Sequence, residues 1–340
     1  MAAAVVTAAL LHYLAAPDLV AFAAATVALA GLAWLVSFAT EQVAERFGPA
    51  VTGVLQSTLG NLPEFFIVLF ALSAGQVVVA QFSLVGSLFA NALLVLGLVV
   101  VTGASRAEDG VMRFHPRLPN DTATLVFLTV FIIVVVGSSA AANDEASKHV
   151  VTISAIGAVA ILAVYLAWLV PYLTSGEPQQ AGHAGGAGRV SFPVAGGLLA
   201  LAGTGAAFVS DWFIAELEPT IERLGISQAF AGLVIAAIAG NAVENATGVV
   251  LAYKGESDLA ISVVKNSVAQ ISAFLFPALV LVSLLFAERV TFELDPVYIG
   301  ALVLTAIVVW QTTGDGVAPA FEGWALVAVY VILATLTLFE

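Results

Sequence analysis

Gly60-Asn61-Leu62-Pro63-Glu64 interrupts one long apolar run, and Gly240-Asn241-Ala242-Val243-Glu244 interrupts another, 180 positions later. Each places a helix-weakening Gly-Asn pair shortly before a carboxylate, far from any water-facing end. A carboxylate at membrane depth costs roughly 3 kcal/mol or more, so it is seldom there without a function. A matched pair in the two halves of one chain is the pattern of a transporter built from repeats around a central site. The rest of the chain reads as scaffold for Glu64 and Glu244.

The composition requires a membrane. The chain has 340 residues, 61% hydrophobic and only 10% charged, with a mean hydropathy of +1.06. Soluble domains carry about 25% charged residues. The apolar runs are long enough for spanning helices. Runs such as Leu125 to Val136 do not alternate, which excludes a β-barrel. The expected fold is an all-α polytopic membrane protein of about 11 helices, one followed by two inverted five-helix repeats. With no cysteine, disulfides and thiolate metal sites are excluded. The net charge of −13 argues against nucleic acid as a partner. Much of that charge lies at Glu216, Glu218, Glu222, Glu288, Glu293 and Asp295, which read as acidic solvated loops or a cation-attracting vestibule.

Residues 1–17 form a short apolar start without a basic flank, expected as a first short membrane helix rather than a signal peptide. Residues 18–173 make the first five-helix repeat, 174–190 a flexible cytosolic linker, and 191–340 the second repeat. In the second repeat a span is expected over 191–214, followed by an acidic junction to Gly225. The segment from Gly103 to Asn120, with Arg106, Arg113 and Arg117, reads as a basic loop. Gly60, Asn61, Glu64, Gly75 and Ser87 fall opposite Gly240, Asn241, Glu244, Gly255 and Ser267 without a gap. Five spans per repeat is an odd number, so the second repeat enters from the opposite side. Arg46, Arg106, Arg113, Arg117, Arg189 and Lys254 on one side outnumber Lys148, Arg223 and Arg289 on the other. The positive-inside rule then puts the N-terminus in the cytoplasm and the C-terminus outside; the expected location is the inner membrane of a prokaryote.

A loosened helix offers carbonyl oxygens, and asparagine offers an amide oxygen; both are hard ligands. Calcium takes six to eight oxygens from carboxylates, carbonyls and water. Glu64 and Glu244 with Asn61 and Asn241 form a candidate cage, and Ser87, Asn91, Ser267 and Gln270 are candidate weaker ligands on the spans that follow. These asparagines, serines and the glutamine read equally well as interhelical polar glue, and Gly86 and Gly97 as close-packing positions. Two ionised carboxylates match one divalent cation, and two protons neutralise the same pair when the ion leaves. Exchange of one divalent ion for protons needs no other titratable group, and His12, His115, His149 and His183 all lie at ends or in loops.

The chain resembles the calcium/proton antiporters of the calcium/cation antiporter superfamily, which are related to the sodium/calcium exchangers. The first likeness runs from Ala39-Thr40-Glu41 through Gly60-Asn61-Leu62-Pro63-Glu64 to Val85-Gly86-Ser87-Leu88-Phe89-Ala90-Asn91. The second runs from Gly240-Asn241-Ala242-Val243-Glu244 through Asp258-Leu259-Ala260-Ile261 to Gln270. The resemblance implies Glu64 and Glu244 as alternating cation and proton sites, gate helices sliding against a rigid core, and a cytosolic linker. Four residues depart from the pattern: Pro63, as in the sodium/calcium branch; Asn245, where the proton-coupled family has His; Asn266, where it has Gly; and Lys265, a cation in a normally apolar place. Lys265 either points at the ion cavity, pairing with Glu64 or Glu244, or faces a neighbouring helix or snorkels to an interface. The linker lacks the acidic helix that many relatives use for calcium regulation, so no such control is expected.

The leading expectation is a secondary antiporter exporting cytosolic calcium against protons, with the bilayer as its setting and no cofactor. The rivals are exchange coupled to sodium, for calcium or for protons, and a non-transporting homologue whose site Lys265 occupies. No nucleophile–base arrangement, phosphate loop or histidine-rich metal motif points to an enzyme.

Overall fold

Asn61 and Asn241 each sit where one helical segment stops and another starts. Their backbones take nearly the same turn, φ −83° and ψ 6° at Asn61, φ −107° and ψ 12° at Asn241. Each residue interrupts the helical run, because asparagine competes for backbone hydrogen bonds and glycine beside it removes the side-chain constraint. At the second break the helix axis turns by 62°. At the first, Pro63 occupies the opening turn of the new helix, where its missing N–H is not needed.

The computed structural model describes residues 1–14, 16–44, 59–115, 117–174 and 190–340. In chain order its elements are α1 (Ala2–Tyr13), α2 (Asp18–Ala44), α3 (Leu62–Ser73), α4 (Val77–Arg106), β1 (Val111–Arg113), α5 (Arg117–Ala142) and α6 (Val150–Thr174). They continue with α7 (Phe192–Leu224), α8 (Gln228–Gly240), α9 (Ala242–Tyr253), α10 (Ser257–Ser283), α11 (Pro296–Thr313), β2 (Val317–Pro319) and α12 (Ala320–Leu338). Among the described residues, eight helices are long and apolar enough to cross a membrane, or nine if bent α8–α9 counts as one span. The expected count of eleven is not thereby established. Both α1 and α3 have 12 residues, about 18 Å of helix against a hydrocarbon core of about 30 Å.

The repeat extends to details no composition shows. Helix α3 has the same bounds as α9 once shifted by 180, and α4 starts opposite α10. The turns between them use Gly75 (φ 74°) and Gly255 (φ 82°), a left-handed conformation that glycine adopts at no steric cost. A π-helical stretch, Ala90–Val95, interrupts α4, and Ile271–Leu275 interrupts α10 at the corresponding place. Such bulges insert a residue and re-aim the side chains beyond it.

Two compact units result, and each takes segments from both repeats: Met1–Leu84, Val170–Val243 and Thr337–Glu340 in one; Val85–Leu169 and Glu244–Leu336 in the other. The first unit is organised by α2 and α7, which pack along their length. Small residues make this possible; a Cβ added at Gly205 would lie 3.0 Å from Leu32. Helix α1 lies on both, with His12 Nδ1 2.8 Å from Glu216 Oε1 and its ring stacked on Trp212. Contrary to expectation, α7 does not end at residue 214. It continues through Pro219 to Leu224 and stops at left-handed Gly225. The carboxylates read as a loop are packing partners, since Glu216 meets His12 and Glu218 accepts from Gln76 Nε2 at 3.2 Å.

In the second unit α4 and α12 meet backbone to backbone at Gly97 and Gly323. A Cβ on Gly97 would stand 2.6 Å from the Gly323 carbonyl oxygen, so Gly97 is the close-packing position expected. Thr129 of α5 donates to the Ser272 carbonyl of α10 at 2.9 Å, and Ser154 accepts from the Phe292 amide at 3.1 Å. The basic segment after Gly103 is not all loop. Helix α4 runs to Arg106, and β1 then pairs antiparallel with β2, Val111 opposite Pro319. Met112 of this ribbon is buried against Gly103, where an added Cβ would come within 2.5 Å of its sulfur. Apart from Thr174 and Val190, the linker lies outside the described residues.

Candidate cation sites at the two helix breaks

The break at Asn61 puts Glu64 in the first turn of α3, and that at Asn241 puts Glu244 in the first turn of α9. A helix start carries unpaired N–H groups and the positive end of its dipole, which favours an anion there. The local chain thus supports a carboxylate at membrane depth before any partner arrives.

In the first unit Glu64 is fully buried. Asn241, from the other repeat, donates through Nδ2 to Glu64 Oε2 at 3.4 Å and to the Ala237 carbonyl at 3.0 Å. Gly240 allows the approach: a Cβ there would lie 3.3 Å from the Glu64 Cβ and 3.5 Å from its Cα. Asn61 is buried one turn before Glu64. The two breaks of the sequence repeat therefore meet, the asparagine of one touching the glutamate of the other.

In the second unit Ser267 of α10 donates to Glu244 Oε2 at 2.5 Å. Ser87 and Asn91 belong to this unit and are tied to each other, Asn91 Nδ2 reaching the Ser87 carbonyl at 3.0 Å beside the π-helical stretch of α4. Helix α10 packs on that stretch. The carbonyl oxygens of the Asn245 and Gln270 side chains are buried and have no hydrogen-bond partner among the described residues. Each is a neutral oxygen with acceptor capacity to spare. Of the residues singled out from sequence, Glu64 is brought to Asn241, Glu244 to Ser267, and Ser87 to Asn91; Gln270 has no bond to either glutamate among the described residues.

Sequence reasoning missed Gly240 as the residue that admits Glu64, and took Asn245 only as a departure. Gly240 was visible as the residue before Asn241, but its contact is with the other repeat. Lys265 is 4% exposed and sits two residues before Ser267, about 200° around the helix. Among the described residues the ion pairs are His12–Glu216, Arg113–Asp109 and Lys148–Glu145, so Lys265 joins neither glutamate. It lines a cavity toward α5 and α11 instead. Of its two open orientations, the one facing neighbouring helices is found.

Residues 18–171 and 194–339 match the family model described as sodium/calcium exchanger protein. The chain belongs to this family. It is 30% identical to the Ca(2+)/H(+) antiporter ChaA of Bacillus subtilis, over 96% of this chain and 93% of that one. It is 29% identical to a Ca(2+)/H(+) antiporter of Synechocystis, over 95% and 92%. The solved structure of native YfkE superposes with a TM-score of 0.82 at 28% identity, covering all of this exchanger-family chain and 98% of the other. The expected all-helical membrane fold and transporter class are therefore those of the relatives. The chain is an integral membrane protein.

Proposed function

We propose that this protein is a secondary antiporter that exchanges cytosolic calcium for protons, with Glu64 and Glu244 binding cation and protons in alternation. The single observation that carries this reading is the pairing of each helix-break carboxylate with a neutral hydrogen-bonding side chain, Glu64 with Asn241 and Glu244 with Ser267, in a chain of the exchanger family. Calcium prefers hard oxygen ligands and tolerates irregular numbers of them. Asn61, Asn241, Ser87, Asn91, Ser267 and Gln270 supply the neutral share of that ligand set. Two carboxylates balance one divalent ion, and protons take its place on the return. Antiporters bearing the calcium/proton name at 29–30% identity over nearly the whole chain support the choice of ions. The chain works as a transporter rather than an enzyme, in the inner membrane of a prokaryote, N-terminus in the cytoplasm. Its organisation is a first helix (1–17), two repeats (18–173 and 191–340) and a cytosolic linker (174–190).

Purified protein in proteoliposomes with a trapped pH dye tests this. Calcium addition without sodium drives proton movement, and Glu64→Gln and Glu244→Gln each abolish it. Movement only with sodium would transfer the protein to the sodium-coupled rival. Calcium-driven movement that survives both substitutions would remove the glutamates from the mechanism.

A further inference from the structure

Lys265 is the buried charge that the exchange reaction does not use. Its side chain is 4% exposed and, among the described residues, makes no ion pair and no hydrogen bond. An ammonium held this way carries a heavy desolvation cost unless an anion reaches it. It lines a cavity of about 40 Å³ within the second unit, bounded by α4, α5, α10 and α11. No acidic side chain is among the lining residues.

The remaining polar group is a donor as well. Thr305 Oγ1, on α11, is buried in the lining of the same cavity and has no hydrogen-bond partner among the described residues. The hydroxyls of Thr129 and Ser272 are already spent on backbone carbonyls, and the rest of the lining is apolar. Two idle donors, one of them charged, in an apolar wall select an anion with an apolar body. Phe127 and Trp310, 41% and 55% exposed, stand at the mouth, on a surface that faces lipid in a membrane-spanning chain.

The size narrows the choice further. A water needs about 10–15 Å³ of such space, so the cavity admits a group of a few heavy atoms. A carboxylate on a single stem fits, whereas a phosphodiester carries substituents on both sides. Depth is compatible. Lys265 lies about 12 Å along α10 from Ser257, and helical side chains lean back toward the N-terminus. That end is near water: Lys254, Gly255 and Glu256 are exposed, and half-buried Asp258 accepts from the His115 amide at 2.6 Å.

We propose that Lys265 and Thr305 form a lateral site for the carboxylate of a long-chain fatty acid, its tail lying in the bilayer along Phe127 and Trp310. The ammonium and the hydroxyl each take one carboxylate oxygen, and the aromatic pair covers the first methylenes. This inference does not depend on which ions the protein exchanges.

The test uses the full chain in detergent and a bromine-substituted stearate, which quenches nearby tryptophan. Saturable quenching at one ligand per chain is expected, and it disappears in Trp310→Phe. Plain stearate competes with it; the methyl ester and sodium chloride do not. Lys265→Met weakens binding at least tenfold and Thr305→Val about threefold, the second variant keeping the lysine and its packing. Equal competition by the methyl ester would reduce the groove to an apolar crevice and overturn the proposal. Displacement by chloride would make it a small-anion site, and unchanged affinity in both variants would place the ligand elsewhere; either result also overturns it.

Discussion

Glu64 and Glu244 occupy the same place in two copies of one motif, yet each meets a different chemistry. Glu64 is fully buried, follows a proline, and receives an amide N–H. Glu244 is partly exposed, follows a valine, and receives a hydroxyl. The amide of Asn241 is fixed in its sense, because the same nitrogen also donates to the Ala237 carbonyl. Reversing it would set an oxygen against two acceptors. It therefore donates to one Glu64 oxygen whether the other oxygen is bare or carries a proton. A serine hydroxyl donates to a carboxylate and, after rotating, accepts from a carboxylic acid. Equivalent positions in a repeat thus need not be equivalent in chemistry: the first carboxyl meets a donor of fixed sense, the second a hydroxyl that can donate or accept.

Shortening each carboxylate by one methylene measures how tightly the two sites are framed. Glu64 has Gly240 against its Cβ and a long 3.4 Å contact to Asn241, so Glu64→Asp withdraws the oxygens from a frame that cannot follow. Misplacement by about 1 Å costs on the order of 100-fold in well-aligned sites, and that loss in calcium-driven proton flux is expected. Glu244→Asp keeps partial access to water and loses about tenfold on the same scale. Equal losses would mean the two carboxylates are held alike. The partners give a finer reading through the half-saturating calcium concentration. Asn241→Ala removes a bond to a charged group and leaves the Ala237 carbonyl without its side-chain donor. The expected rise is about 10- to 100-fold, the range of a charge-assisted hydrogen bond. Ser267→Ala raises it by less, about threefold to tenfold, since water can replace the hydroxyl. A larger effect at Ser267 would reverse the assignment.

Much of this was legible because the signals are local. Gly-Asn breaks, glycine turns and apolar runs fall within a few residues of the features they cause, and a gap-free offset of 180 joins them into a repeat. What sequence did not show depends on residues far apart along the chain. The three-residue strands β1 and β2 carry no period of their own and exist because Val111 finds Pro319. The acidic end of α7 stays helical because His12 and Gln76 wait for its carboxylates. At the candidate sites, the glutamates and asparagines stand out in the sequence by type and depth, but not that Asn241 donates to Glu64. The orientation of Lys265 was within reach: two residues on a helix differ by about 200°, which already separates it from Ser267.

The smallest difference between the two breaks is Pro63 against Val243. Proline is what makes the first motif look like the sodium/calcium branch, and it invites a role in ion choice. The structure offers a simpler cause. Pro63 lies in the opening turn of α3, the Phe65 amide closes that turn on the Asn61 carbonyl at 2.9 Å, and a proline N–H is not missed there. Its effect is then on the unfolded chain, whose freedom it restricts by about 0.4–1 kcal/mol. Pro63→Ala is expected to lower the melting temperature by about 0.5–1.5 °C, as that energy implies for a chain of 340 residues. Calcium-driven proton flux and its response to sodium are expected to match those of the unsubstituted protein. A gain or loss of sodium response in this variant would show that the proline shapes the ion site, and that the two breaks differ in selectivity as well as in the donors their carboxylates meet.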